Sequence, residues 1–363
     1  MPHTHYRILP YTVVPGEDLF SLDRLVYFDA VDVRSTAVSD LRFYTPGDVA
    51  LDWMNVSAVL TGSTVTGWVR IVLPSQLASA ETTDELIRVR YGGTPDIGSV
   101  AASTTLSLSG LVGAWDCEST SPADWSGGGN NGSGTNLTST AGAVASAENF
   151  NGTNAYLSVG DSDAFSFTSG GFTIEMWLSR DRAANGIDDL FNKALQPNTN
   201  EYEAGFYSDS LIYFDLFSEG SGLKVIGRTA PAFGADGRHH LAFTYSGGGT
   251  PTALKIIKDG VQIDNASRSQ GTFTAPTNTS QPLYFGRTSS FYGAYFSGWQ
   301  DDIRVWSRPL SIAEIAYQVA QADPLNSEWG AEIALSTAVY RPTWGRGLRR
   351  GTRPVYGGLF TRR

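Results

Sequence analysis

The sequence is poor in the residue types on which most catalytic and metal chemistry draws. It holds one cysteine, Cys117, among 363 residues. A lone thiol excludes an internal disulfide framework and any cysteine-based metal cluster. In the run Leu111-Val112-Gly113-Ala114-Trp115-Asp116-Cys117 it reads as a buried bystander. Histidine is confined to His3, His5, His239 and His240, and no Gly-x-Ser-x-Gly elbow accompanies them, so a serine triad has no support. His239 and His240 precede an apolar strand and read as packing residues, while His3 and His5 read as part of a flexible terminus. Charged residues are scarce, at 17%, and the net charge of -10 argues against nucleic-acid binding. No apolar run reaches the length of a membrane span. Met1-Pro2-His3-Thr4-His5-Tyr6-Arg7 lacks a basic-then-apolar pattern, so no standard secretion signal is expected. The loop from Gly127 to Gly134 lacks the Lys-Ser/Thr end of a phosphate-binding loop and reads as a turn.

What is abundant is glycine, with 40 residues, and aromatics at 12%. Many turns, many aromatics and few charges suit an all-β architecture. The length allows two domains and a sizeable core. The basic charge is unevenly placed. Seven of the 26 basic residues lie in the last 23 positions, as Arg341, Arg346, Arg349, Arg350, Arg353, Arg362 and Arg363, with no acidic residue among them. An acidic body with a basic arm too poor in apolar residues to fold alone predicts an assembly arm, held against a partner or a neighbouring copy. A homo-oligomer is therefore expected.

The chain divides into three segments. Residues 1–105 contain the strand-like runs Leu25–Phe28, Leu41–Tyr44, Gly67–Pro74 and Leu86–Gly93, the last two alternating as strands with one wet face do. Gly98–Ser109 reads as a linker or an edge strand. Residues 106–322 carry seven landmarks. These are Leu111–Trp115, the polar loop Asp124–Gly132, Phe150-Asn151-Gly152 leading into Tyr156–Val159, Phe172–Leu178, Arg238–Tyr245, the Asp259-Gly260 turn, and Leu283–Arg287 before the closing run Tyr295–Trp306. A helix is predicted from Ser311 to about Gln321, with Ser311 and Glu314 forming a capping box. Residues 323–363 form the irregular, Arg-rich arm.

The order of these landmarks resembles that of laminin-G-like domains, within the concanavalin A-like jelly rolls. The pieces Asp40-Leu41-Arg42-Phe43, Trp68–Pro74 and Arg90-Tyr91-Gly92 resemble a small β-sandwich domain, of unassigned function, that often precedes such domains in prokaryotic surface proteins. The resemblance implies an all-β chain: an N-terminal β-sandwich acting as stalk or adaptor, then an antiparallel jelly roll, one short C-terminal helix and the arm. It also implies a structural calcium ion between the Asp that opens the polar loop and the Asp of the closing strand. Here these are Asp124 and Asp301, with Asn130 or Asn131 as helpers.

Jelly-roll enzymes that cleave polysaccharides need two carboxylates across one cleft. Phe172–Leu178 offers only Glu175, no other strand reads as carrying a pair at alternate positions flanking a cleft-like aromatic, and adjacent aspartates such as Asp188-Asp189 and Asp301-Asp302 point to opposite faces of a strand. A non-enzymatic role is therefore expected, with polysaccharide cleavage as the weaker alternative. Sugar binding needs aromatics to stack on pyranose faces. Tyr202, Phe206, Tyr207, Tyr213, Phe291, Tyr292 and Tyr295 lie near loops or strand edges, and Phe291, Tyr292, Tyr295 and Tyr207 are the favoured ligand-binding candidates. The expectation is a lectin-like protein that binds a cell-surface glycan or polymer. Its expected place is a phage virion surface, as a head decoration, fibre or tail protein docked by its arm on other virion proteins. The alternative is a secreted bacterial adhesin.

Overall fold

The computed structural model describes residues 5–11, 22–32, 37–45, 49–73, 85–91, 103–168, 170–181, 187–195, 199–207, 210–218, 224–234, 237–287, 295–322 and 333–334. The first unit contains β1 (His5–Tyr11), β2 (Leu22–Asp32), β3 (Arg42–Tyr44), β4 (Ala50–Leu51), β5 (Trp53–Asn55), β6 (Val59–Thr61), β7 (Thr64–Leu73) and β8 (Glu85–Tyr91). The second begins with β9 (Leu111–Trp115), β10 (Gly132–Thr135), β11 (Thr138–Ala141), β12 (Ser146–Asn151), β13 (Tyr156–Val159) and β14 (Phe172–Arg180). It continues through β15 (Asp188–Leu195), β16 (Thr199–Phe206), β17 (Leu211–Ser218), β18 (Lys224–Ala232), β19 (His239–Tyr245) and β20 (Leu254–Lys258). It ends with β21 (Val261–Gln262), β22 (Ala266–Gln270), β23 (Leu283–Phe285), β24 (Ser297–Trp306) and helix α1 (Ile312–Gln321), after which β25 (Ile333–Ala334) returns to the first unit.

These strands form four antiparallel sheets. The first runs β25-β1-β8-β3-β4 and the second β2-β7-β5, with β6 on β7. The third runs β11-β12-β24-β14-β19-β20-β21, with β9 also on β24, and the fourth runs β10-β13-β23-β15-β16-β17-β18-β22. The third and fourth sheets enclose the largest core, built on Trp115, Phe150, Phe191, Phe214, Phe243 and Phe285. A second core, with Phe28, Phe43, Trp53, Val69 and Tyr91, joins the first and second sheets.

The second and third sheets also pack on each other. Met54 joins Trp125, Ala242, Ile257, Trp306 and Ile315 in one cluster, and Leu25 and Trp68 join Val144, Trp177 and Ala322 in another. The molecule is thus a stack of four sheets with apolar contact at all three junctions. This explains the burial pattern along the chain. β14 and β24 are covered on both faces and buried almost throughout, whereas β13 alternates. The wet face expected on Gly67–Pro74 is not wet: the third sheet covers it, and Trp68 to Ile71 are all buried. Of the expected linker, Leu106 and Leu108 are buried in the same seam.

Helix α1 seals the edge of this seam. Its capping box forms as expected, with the Glu314 N–H donating to Ser311 Oγ at 3.2 Å and the Ser311 N–H to Glu314 Oε2 at 2.9 Å. Ile315 enters the seam and Tyr317 the core of the first unit. An ion pair crosses the seam: Arg70 Nη2 lies 2.9 Å from Asp302 Oδ1, with Arg70 fully buried. Burial alone would raise the Asp302 carboxyl, but Arg304 and Arg70 together hold it down at about 2. Arg70 and Arg304 both also lie against the Trp125 ring, at 4.5 and 5.5 Å.

Candidate functional site

With the third sheet covered on both faces, the outer face of the fourth sheet is the jelly-roll surface not packed against another sheet. Its composition follows from strand parity. Tyr202, Ala204 and Phe206 of β16 and Ile212, Phe214 and Leu216 of β17 point into the core. Their neighbours Glu203, Gly205, Tyr213 and Asp215 therefore point outward. The pairing register aligns one outward row across the sheet: Ser133, Ser158, Tyr284, Asn192, Glu203, Asp215, Gly227 and Arg268.

At one flank of this row Tyr207 stacks on Tyr213, with ring centroids 4.5 Å apart and planes 20° apart. Arg268 Nη1 donates to the Tyr207 hydroxyl at 2.9 Å and also pairs with Asp215. The Tyr213 hydroxyl donates to Asp189 Oδ1, whose second oxygen accepts from Asn192 Nδ2 at 3.1 Å. Two glycines make room for this. A methyl on Gly227 would overlap Asp215 Oδ1, and one on Gly205 would meet the Asp189 backbone at 2.7 Å. The floor is buried, with Asp189, Asn192, Tyr213 and Asp215 each at most 1% exposed, while Tyr207 and Glu203 at the rim are half-buried.

Burial raises the Asp189 carboxyl to about 8, against the hydrogen bonds from Tyr213 and Asn192. It raises Asp215 to about 6, with Arg268 opposing. Burial and then the Asp215 charge raise the Tyr207 hydroxyl to about 12. Near neutral pH the patch therefore rests on a buried neutral carboxyl and an ion pair beneath the tyrosine pair. Asp215 Oδ1 and Asn192 Oδ1 are buried acceptors without a hydrogen-bond donor among the described residues. A half-buried ring beside a partly exposed arginine is the chemistry that orients polyhydroxylated ligands.

The sequence candidates fall unevenly on this face. Tyr207 is in the patch. Tyr295 is half-buried at the other flank, bridged to Arg287. Phe291 and Tyr292 lie outside the described residues, as do all seven arginines of the arm. Tyr202 and Phe206 are core residues, because their strand parity turns them inward. Tyr213 is the floor of the tyrosine stack. Glu175, the only carboxylate of its strand, is buried in the seam, where it accepts from Trp306 Nε1 at 2.9 Å and lies 3.5 Å from His240 Nε2. Burial and then the Arg304 charge lower the His240 imidazole to about 4, so this histidine packs as a neutral ring.

One carboxylate pair holds to the expectation and one corrects it. Glu201 and Glu203 do alternate on one strand, β16. The pair is divided in use: Glu201 is fully buried against Lys193 Nζ at 2.6 Å and Thr279, and only Glu203 reaches the outer face. Asp301 and Asp302 do not point to opposite faces. A bulge in β24, with Asp302 at φ 45, turns both toward the seam. Asp302 takes Arg70, and Asp301 Oδ2 accepts the N–H groups of Ala143 and Val144, each at 2.8 Å.

The four residues expected to hold calcium serve two separate hydrogen-bond sets. Asp124 accepts from the backbone of Ala114, Ser126 and Asn130, and the Asn131 side chain accepts from the Asp124 N–H. Among the described residues no group of three His, Cys, Asp or Glu side chains is arranged to hold a metal ion. As placed, these residues fit a hydrogen-bonded loop and a turn cap better than one oxygen cage.

Residues 151–316 match the laminin-G-type family model described as the concanavalin A-like lectin/glucanases superfamily. No curated protein matches the chain in sequence. Among solved structures, the binding domain of Paraclostridial Mosquitocidal Protein 1 is 16% identical with a TM-score of 0.46, over 58% of this chain and 52% of that one. The binding domain of Botulinum Neurotoxin DC in complex with SialylT is 12% identical with a TM-score of 0.44, over 59% and 52%. Domain 4 of AbnA, an extracellular arabinanase from Geobacillus stearothermophilus, in complex with arabinotriose, is 15% identical with a TM-score of 0.42, over 59% and 98%. The chain thus spans about half the length of the two toxin domains.

Proposed function

We propose that this concanavalin A-like domain makes the chain a non-enzymatic glycan-binding protein, with its site on the outer face of the fourth sheet. The observation that carries the reading is the half-buried Tyr207 stacked on Tyr213 beside Arg268 and Asp215. A glycan array followed by titration calorimetry tests it. Tyr207→Ala is expected to weaken binding at least tenfold without lowering the unfolding temperature. An array without hits, with or without calcium, removes the reading. Calcium at Asp124 is a separate question, against which the hydrogen bonds already made by Asp124 and Asp301 weigh: a higher unfolding temperature on its addition, lost in Asp124→Asn, would establish it, and no change discards it.

A second reading, polysaccharide cleavage, draws on Glu203 and Asp215 facing each other across β16 and β17, with Asp215 raised to about 6. The ion pair of Asp215 with Arg268 weighs against its serving as a free acid. Release of reducing ends from any polysaccharide, abolished by Glu203→Gln, would establish this reading instead.

The surface on which the protein acts, virion or cell, and its assembly belong to the proposal as well. Their support is the run of seven arginines in an otherwise acidic chain. A chain ending at Tyr340 is expected to lose oligomerisation or incorporation while keeping its fold, as read by native mass and circular dichroism.

A further inference from the structure

Lys193 of β15 has a fully buried side chain, yet it ends against two carboxylates. Its Nζ lies 2.6 Å from Glu201 Oε1 and 2.9 Å from Asp161 Oδ1, and it donates to the Thr279 carbonyl at 2.9 Å. The two carboxylates differ. Glu201 is fully buried; Oε1 also accepts from the Thr279 N–H and hydroxyl, at 2.8 Å each, and Oε2 has no hydrogen-bond partner among the described residues. Asp161, just past β13, has a side chain 39% exposed. The segment that carries it is pinned at three points. The Tyr202 hydroxyl donates to the Phe165 carbonyl at 2.9 Å, Asn278 Nδ2 to Asp163 Oδ1 at 2.9 Å, and Ser166 Oγ to Glu201 Oε1 at 3.3 Å.

We propose that Lys193 and Asp161 condense to an intramolecular isopeptide bond, with Glu201 as the proton carrier. Lys193 gives one ammonium proton to Glu201 Oε1, and the freed amine attacks Asp161 Cγ. The N–C bond forms, one C–O bond of Asp161 breaks, and that oxygen leaves as water. Two of the three ammonium protons depart with it by way of Glu201, which ends ionised as it began. No co-reactant is needed. The attacked carbon lies one C–O bond from an oxygen already at 2.9 Å, so a small shift brings amine and carbon to the near-attack separation of about 3–3.5 Å. Holding both groups in one fold gives a high effective concentration. An ion pair withdrawn from water has lost the solvation of both charges, and amide formation removes both. The amide keeps one N–H for the Thr279 carbonyl, and the exposed side of Asp161 gives the released water an exit. The bond would join β13 to β15 across β23, which lies between them and pairs with each. Neither residue belongs to the outward row, so the cross-link is independent of the glycan reading.

The test is the intact mass of the full chain under denaturing conditions, followed by a peptide map. The chain is expected to weigh one water, about 18 Da, less than its sequence. The peptides carrying Lys193 and Asp161 are expected to run as one. Asp161→Ala, a change at a partly exposed side chain, and Glu201→Gln are each expected at full sequence mass without the joined peptide, with unchanged circular dichroism. A parent chain at its full sequence mass overturns the proposal. So does a lost water that maps to another site, or a cross-link that forms undiminished in Glu201→Gln.

Discussion

Glu148 makes the sharpest stability prediction. It lies on β12 directly opposite Gln300 of β24, on the core side of the sheet, two residues before the core residue Phe150. The side chain is 1% exposed, and neither carboxylate oxygen has a hydrogen-bond partner among the described residues. Gln300 Oε1 lacks a donor too. Burial, and then the charge of Asp116, raise the Glu148 carboxyl from 4.5 to about 8. The folded protein therefore holds this proton more tightly than the unfolded chain. Its contribution is fully present below about pH 4.5 and is lost as pH rises through about 8. At about 1.4 kcal/mol per pH unit, this one group accounts for a loss of roughly 3–4 kcal/mol between about pH 5 and 8. Glu148→Gln removes the titration and supplies an amide N–H opposite Gln300 Oε1. Urea unfolding followed by tryptophan fluorescence at a series of pH values reads the effect. The variant is expected to be more stable than the parent at pH 8 by about 2–3 kcal/mol and to differ from it by less than about 1 kcal/mol at pH 5. A difference that does not change with pH would refute the reasoning.

Three further outcomes follow from the packing. Asp302→Ala leaves Arg70 and Arg304 buried without their shared partner, and a loss of about 3–5 kcal/mol is expected in equilibrium unfolding. Gly227→Ala places a methyl on Asp215 Oδ1, so calorimetry is expected to show at least tenfold weaker glycan binding, and unfolding a cost of about 1–3 kcal/mol. Ser311→Ala removes one half of the capping box and is expected to cost about 1 kcal/mol, read by the same unfolding assay.

The jelly roll was legible because its signals are local. Asp259-Gly260 predicts a hairpin turn in which both residues take positive φ, and both do, at 51 and 77. Ser311 and Glu314 predict the cap that forms. Phe172–Leu178 predicts a central strand, and β14 is one. The candidate site was legible only in part. Tyr207 and Tyr213 stand six apart in sequence with a turn between them, and nothing local says that their rings stack. The alternation Glu201-Tyr202-Glu203 was present in the sequence, but only the position of Lys193 shows why its two carboxylates part company. The second sheet read as half-solvated because alternation in one strand cannot report what lies above it. Its cover comes from residues such as Trp177 and Trp306, more than 100 positions away in the chain. The bulge that turns Asp301 and Asp302 to one side has no signature in an Asp-Asp pair.

The four-sheet stack has a consequence for valency. Sheets pack about 10 Å apart, so the outer face of the fourth sheet, where the glycan site is proposed, and the first sheet stand roughly 30 Å apart at opposite ends of the molecule. β25 pairs with β1 on that first sheet, so the described chain ends at the pole remote from the proposed site. Copies gathered through anything beyond Ala334 would turn their fourth-sheet faces outward together. A weak single-site affinity would then become strong attachment through high effective concentration, while each face stayed clear of the tether.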